Sequence, residues 1–224
     1  MYWLIFIVFL LASLLVQWAL KSKMETYSKV FLPSGLTGRE VAEKMLRDNG
    51  IYDVRVVCIQ GRLTDHYNPV DKTLNLSEDV YHGSSVASAA VAAHECGHAV
   101  QHAESYYWLG LRSALVPATN FCGNLAPWIL FIGLILMTLT SLGRFVAVAG
   151  VVLYAVTTLF AFVTLPVEYD ASHRALVWLE STGLASGNLN AKAKDALRWA
   201  ARTYVVSALA SLATLLYYIS VLRR

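Results

Sequence analysis

The sequence predicts a mainly α-helical, integral-membrane protein with four transmembrane helices and a small α+β portion between them. Apolar residues fill 57% of the 224 positions and charged residues only 15%, whereas soluble domains have about 45–50% apolar residues on a comparable set. The mean hydropathy is +0.51. The apolar residues also gather into four runs separated by polar stretches. This pattern predicts membrane spans joined by folded segments.

Residues 2–20 are the first predicted transmembrane helix. Gln17 is their only strongly polar member, and the length matches the roughly 20 residues that a membrane-spanning helix needs. A cleaved signal peptide would carry positive charge before its apolar run, but here Lys21 and Lys23 follow the run. We therefore expect an uncleaved anchor.

Residues 21–126 are predicted to form the α+β portion. Thr37 and Glu40 have the spacing of a capping box, so a short helix is expected to begin there and to end at Asn49-Gly50.

Two strands and a longer helix are expected in the rest of this portion. Residues 52–59 are rich in β-branched side chains, and residues 73–76 alternate polar with apolar ones, so both stretches predict strands. Residues 84–104 are rich in alanine and contain no proline, which predicts a helix.

The C-terminal half is expected to hold the other three spans. Residues 127–165 contain two apolar runs separated only by residues 141–144, which predicts a transmembrane hairpin. Residues 166–202 are more polar and predict a helical segment outside the membrane. Residues 203–222 form the fourth predicted span.

The charge and the cysteines argue against a nucleic-acid partner and against a fold held by disulfides. The net charge of +3 is too small to indicate a nucleic-acid partner. Cys58, Cys96 and Cys122 are odd in number and far apart, so they predict neither a disulfide framework nor a paired-cysteine metal site. They fit a reducing compartment.

The helix at residues 84–104 carries the motif His-Glu-x-x-His, at His94, Glu95 and His98. Residues four apart lie on one face of a helix, so the two imidazoles can bind one metal ion while Glu95 reaches a water molecule beside it. This is the geometry of a zinc metallopeptidase. An accidental match is the alternative, but a carboxylate on an alanine-rich helix is costly unless something binds it. Cys96 is expected to fill space, not to bind metal.

The third ligand must come from elsewhere in the chain. The metzincin motif would continue with glycine and histidine where this chain has Gln101 and Glu104, which excludes that class. His102 lies one turn beyond His98 and is poorly placed to bind the same ion together with both histidines.

Glu168 is the preferred third ligand. It follows Pro166, a residue that favours the first turn of a new helix, at the end of the third span. Two spans separate it from His98, so both lie on the same side of the membrane. An interfacial charge that pairs with Arg174 or Lys192 is the alternative.

Four segments resemble the YugP-type neutral zinc metallopeptidases of bacterial membranes: residues 92–101, 165–172, 65–69 and 76–81. The resemblance covers most of the chain, including its four spans. It implies an enzyme of the gluzincin type in the bacterial inner membrane, with one zinc ion per chain. His94, His98 and Glu168 would bind the zinc and Glu95 would act as the general base. The expected partners are the lipid bilayer and a membrane-associated or misfolded polypeptide substrate.

A looser resemblance to HtpX-type membrane proteases suggests further residues. Those proteins have an aspartate four residues after the third ligand, where this chain has Ser172, so Asp170 is the expected partner of the metal-binding histidines. By the same resemblance, residues 72–76 could pair with the substrate backbone or merely complete a sheet. His66 and Tyr67 are possible oxyanion donors or, equally, turn residues.

Two other functions are compatible with a metal-binding membrane protein. A site-2-type intramembrane protease needs an Asp-Gly pair on a later span, and the chain contains no such dipeptide. A non-catalytic scaffold with a structural metal would use the same ligands, but it would have no need for Glu95 as a base.

The distribution of positive charge predicts that the active site faces the cytoplasm, where Lys and Arg collect. The two segments on the side of His94 hold ten and five of the 18 Lys and Arg residues. Lys21, Lys23 and Arg202 lie close to span ends. Arg144 and the terminal Arg223-Arg224 lie on the opposite side and are contrary indications.

Overall fold

A computed structural model describes residues 2–223, with the side chains of residues 3–223. The chain is mainly helical and has one small sheet. Its elements are α1 (Tyr2–Tyr27), α2 (Gly38–Asp48), β1 (Arg55–Ile59), β2 (His66–Asn68), β3 (Thr73–Ser77), α3 (Glu78–Tyr81), α4 (Val86–Ala103), α5 (Tyr107–Leu136), α6 (Leu142–Ser181) and α7 (Asn188–Leu222).

Four helices of the described chain, α1, α5, α6 and α7, are long and apolar enough to cross a membrane. The most apolar windows of α1 and α6 reach a mean hydropathy of 2.4, well above that of the whole chain. The number of candidate spans agrees with the sequence prediction, but the helices extend beyond the predicted spans. Helix α5 begins at Tyr107, long before residue 127, and it passes through Pro117 and Pro127.

Helix α6 also differs from the prediction, because it runs unbroken through Pro166 to Ser181. A new helix was expected to begin at this proline, and that expectation was wrong. Proline removes one backbone hydrogen bond, which a long apolar helix tolerates when its neighbours support it. The helix ends just before Gly183, whose φ of +71° suits glycine at a helix C-terminus.

The chain divides into two compact units. Unit 1 comprises residues 2–15, 110–165 and 203–223 of the described chain. Within it, α5 and α6 approach closely at small residues: a Cβ atom on Gly133 would lie 2.4 Å from the backbone nitrogen of Ala147. Small residues at such crossings are how membrane helices come into van der Waals contact.

Unit 2 comprises residues 16–109 and 166–202. Its sheet has the order β1-β3-β2, with β1 parallel and β2 antiparallel to β3. Helix α2 packs against α4, and the predicted capping box is present, because Thr37 and Glu40 each accept a hydrogen bond from the other's backbone N–H.

The sheet decides between the two alternatives for residues 72–76 in favour of a strand that completes the sheet. Strand β3 lies between β1 and β2 and its backbone pairs with both, so it cannot add a substrate strand. The two edge strands are β1 and β2, and the sequence pattern did not predict β2. Its three residues are too few to show an alternation, and Pro69 directly after them indicated a turn.

Candidate metal centre

Helix α4 presents His94 and His98 on one face. Ser85 caps the helix by accepting a hydrogen bond from the backbone N–H of Ser88, and alanine is the most frequent of its buried residues. The two imidazole rings lie 4.9 Å apart between centroids and are nearly perpendicular. Their Nε2 atoms therefore converge on one region beside the helix, as the spacing of four residues predicts.

Glu168 of α6 completes the group. Its Oε2 lies 3.3 Å from Nε2 of His94 and 3.7 Å from Nε2 of His98. One ligand atom from each of the three residues lies within 4.8 Å of the others. Glu168 is buried, with 3% of its surface exposed. The structure thus brings together the three residues predicted as ligands.

The position of Glu168 follows from a close helix crossing at Gly97. A Cβ atom on Gly97 would lie 2.6 Å from the carbonyl oxygen of Ala171, so only glycine allows the backbones of α4 and α6 to approach this closely. Ala171 lies about one turn after Glu168. The crossing therefore holds the Glu168 carboxylate against His94 and His98.

Each histidine is held from its other ring nitrogen. Nδ1 of His94 lies 3.1 Å from the hydroxyl of Ser172, and Nδ1 of His98 lies 3.0 Å from Oε1 of Gln101. Asp170, the predicted partner of the histidines, lies instead 2.8 Å from Nε2 of Gln101. It reaches His98 only through that amide, so Ser172 and Gln101 take the place expected for it.

Glu95 is buried beside the edge strand β2. Its Oε2 accepts a hydrogen bond of 3.2 Å from the backbone N–H of Tyr67. Among the described residues, Glu95 is not in the group that could hold a metal ion. It therefore lies next to the site on an adjacent position of α4, as the motif predicts for a base.

The other predicted residues of β2 point in different directions. Adjacent side chains of a strand face opposite sides of the sheet. The hydroxyl of Tyr67 lies 2.8 Å from Nδ1 of His102, while the ring of His66 contacts the carbonyl of Thr64 and the side chain of Asn75. Oxyanion roles for His66 and Tyr67 both stay predictions.

Cys96 faces away from the histidines. Its Sγ lies 3.5 Å from the carbonyl oxygen of Ala42 on α2, and burial raises the pKa of its thiol well above the usual value. A thiolate is the form that binds metal, so a thiol kept neutral in the α2–α4 interface fits the expectation that Cys96 fills space.

The group of three residues fits a zinc ion by chemistry and by distance. Two imidazoles and a carboxylate are common zinc ligands. Ligands about 2.0–2.2 Å from a tetrahedral ion would be roughly 3.3–3.6 Å apart, and the separations between Glu168 and the histidines, 3.3 and 3.7 Å, lie within about 0.1 Å of that range. Burial lowers the pKa of His98, but Glu168 and Glu95 outweigh that effect and raise it. The site therefore favours a cation, which a metal ion supplies in place of a proton.

Comparisons with known proteins point to the same chemistry. Residues 2–223 match the model of a family described as "Putative neutral zinc metallopeptidase". The chain is 42% identical over 209 residues to the "Putative membrane protease YugP" of Bacillus subtilis (strain 168), covering 93% of this chain and 91% of that protein. No solved structure matches.

Proposed function

The chain belongs to the neutral zinc metallopeptidase family, and from this premise we propose that it is a membrane-embedded zinc endopeptidase of the gluzincin type. The observation that carries the proposal is the convergence of His94, His98 and Glu168 beside Glu95. Membrane-associated or misfolded polypeptides are the proposed substrates, and four helices of the described chain that are long and apolar enough to cross a membrane support this choice.

Under this proposal, His94 and His98 bind one zinc ion through Nε2 and Glu168 binds it through a carboxylate oxygen. Zinc suits two imidazoles and a carboxylate better than magnesium or calcium does, since those ions prefer oxygen ligands only. When bound, zinc supplies Lewis-acid chemistry: it makes a water molecule acidic near neutral pH and polarises the scissile carbonyl.

The proposed role of Glu95 is to accept a proton from the attacking water and to return it to the leaving amine. The backbone N–H of Tyr67 holds one carboxylate oxygen, which keeps the side chain in place while the proton moves. Because β2 is the edge strand beside Glu95, we propose β2, in place of β3, as the strand that orders the substrate backbone.

Metal removal tests this function directly. The purified protein in detergent should cleave an unfolded, alkylated reporter protein. Treatment with a zinc chelator should lower this cleavage by about tenfold or more. Addition of about one equivalent of zinc should restore it. Cleavage that persists unchanged after chelation, with zinc shown absent by elemental analysis, would exclude zinc catalysis.

The intramembrane alternative finds no support in the position of α4. Within residues 2–223, the helices that qualify as membrane spans are α1, α5, α6 and α7, and α4 is not among them. The metal-binding helix is part of unit 2, packed against α2 and near β2. This favours cleavage outside the bilayer core.

We further propose that the chain lies in the bacterial inner membrane with the site on the cytoplasmic side, on the strength of Lys21, Lys23 and Arg202 near span ends. Of the two terminal arginines that argue against this orientation, Arg224 lies outside the described residues.

Thiol labelling of intact cells checks the orientation. In a background without the three native cysteines, Ser141→Cys in the exposed turn between α5 and α6 should react with a membrane-impermeant maleimide. Lys194→Cys, exposed on α7 in the same unit as the metal site, should react only after the cells are opened. The reverse pattern would place the site outside the cell.

A further inference from the structure

Gln101 is a fully buried side chain whose contacts extend from α4 to α6. Its exposed fraction is 0%. Oε1 lies 3.0 Å from Nδ1 of His98, and Nε2 lies 2.9 Å from the carbonyl oxygen of Val167 and 2.8 Å from Oδ2 of Asp170. All three contacts are of hydrogen-bond length.

The partners of Gln101 determine which way its amide group faces. The carbonyl of Val167 can only accept a hydrogen bond, and so can the carboxylate of Asp170, which Arg174 keeps paired. The amide NH₂ must therefore face these two oxygens. Oε1 is left facing His98, and an amide oxygen can only accept.

The orientation of the amide determines the tautomer of His98. Because Oε1 of Gln101 accepts, Nδ1 of His98 must carry the proton and donate it. In the neutral ring the lone pair is then on Nε2, the nitrogen that faces Glu168. This is the tautomer that binds a metal ion through Nε2.

His94 lacks an equivalent constraint. Its Nδ1 contacts the hydroxyl of Ser172, and a hydroxyl can donate or accept. The two histidines are thus held differently, and only His98 has a partner that fixes its proton on one nitrogen.

We propose that Gln101 is a positioning residue for the metal site: it fixes the metal-binding tautomer of His98 and, through the carbonyl of Val167, ties the ligand-bearing turn of α6 to α4. Val167 directly precedes Glu168, so one side chain holds a ligand of α4 and the neighbour of the ligand on α6. This inference rests on the proposed zinc function.

The test replaces Gln101 by methionine, which has a similar volume and no amide. We expect Gln101→Met to weaken zinc binding by about 10–100-fold, the usual effect of losing a residue that orients a metal ligand. Zinc affinity of the full-length protein in detergent is measured by competition with a chromophoric chelator. The visible absorption of the cobalt-substituted protein, which reports ligand geometry, should change as well.

Asn190→Leu is the matched control. Asn190 is also a buried amide on a helix, and it donates a hydrogen bond of 2.9 Å to the carbonyl of Leu176 on α6, but it is not part of the metal group. This variant should lower the melting temperature of the metal-free protein and leave zinc affinity and the cobalt spectrum unchanged. Equal loss of zinc affinity in both variants would make Gln101 a merely structural residue and overturn the proposal.

A double variant tests the direction of the hydrogen bonds. Gln101→Glu can still accept from His98 but cannot donate to Asp170, so it should weaken zinc binding. Adding Asp170→Asn supplies the missing donor and keeps the total charge of the pair, so zinc affinity should rise by about threefold or more above that of Gln101→Glu. Recovery should be incomplete, because the bond to Val167 stays broken and the oxygen that accepts from Arg174 is replaced.

The outcomes separate this inference from the function on which it rests. A wild-type protein that binds no zinc would overturn the proposed function itself. If the wild-type protein binds zinc and the Gln101→Met variant binds it equally well, only the role of Gln101 is overturned. The same holds if the zinc affinity of the double variant is no higher than that of Gln101→Glu.

Discussion

Glu95→Gln is expected to lower kcat/KM for peptide hydrolysis by about 10²–10⁴-fold, the usual contribution of a general base, while zinc content stays at one ion per chain. Glutamine has the same shape and keeps an oxygen that can accept the hydrogen bond from the N–H of Tyr67. The fold and the ligands should therefore be unaffected, and the missing function is proton transfer. Cleavage of the unfolded reporter and elemental analysis of the same samples provide the measurement.

Glu180→Gln is the matched control for this change. Glu180 is an exposed carboxylate near the C-terminal end of α6, so its replacement makes the same chemical change away from the site. It should cleave the reporter at the wild-type rate. The expected loss of turnover in Glu95→Gln is about 10²–10⁴-fold. Turnover within about threefold of wild type would instead mean that another group takes the proton.

The second large effect is expected from removal of a ligand. His98→Ala and Glu168→Ala should each reduce zinc from one per chain to a small fraction of that after dialysis against a weak chelator. Each change leaves two of three protein ligands, and a catalytic zinc site is ordinarily built on three. Circular dichroism should confirm that the helical content is kept.

Two replacements on the same helices distinguish ligation from general damage. His102→Ala removes a histidine one turn beyond His98, whose Nδ1 contacts Tyr67, and Glu180→Ala removes a carboxylate on the helix of Glu168. Both should retain one zinc per chain. Equal zinc loss in Glu168→Ala and Glu180→Ala would show that the third ligand is misassigned.

The sequence predicted best what depends on local geometry. The spacing of His94 and His98 determines that they share a face, whatever surrounds the helix. The capping box at Thr37 formed as expected because it involves residues only three apart. The placement of Glu168 rested on counting spans, and the structure puts its carboxylate beside both histidines.

Contacts set by the tertiary approach of two helices could not be predicted in this way. Ser172 reaches His94, and Gln101 reaches both His98 and α6, because α4 and α6 cross closely at Gly97. One signal was present: Gln101 lies three residues after His98, on the same face of the helix. The sequence alone does not indicate what that face meets.

The errors in the predicted elements have similar causes. Pro166 indicated a helix start, but the packing of a long apolar helix outweighed the loss of one hydrogen bond. Strand β2 has only three residues, and it forms because β3 offers it a partner. Since β2 takes the edge, β3 becomes a central strand.

The central claim, that His94, His98 and Glu168 hold the zinc ion, is tested most directly by X-ray absorption spectroscopy at the zinc edge of the purified protein. The account predicts about two imidazole nitrogens at about 2.0–2.1 Å, with the remaining ligands oxygen at about 2.0–2.2 Å. Scattering from sulfur at about 2.3 Å would implicate a cysteine such as Cys96, and it would contradict the assignment, as would a spectrum without imidazole.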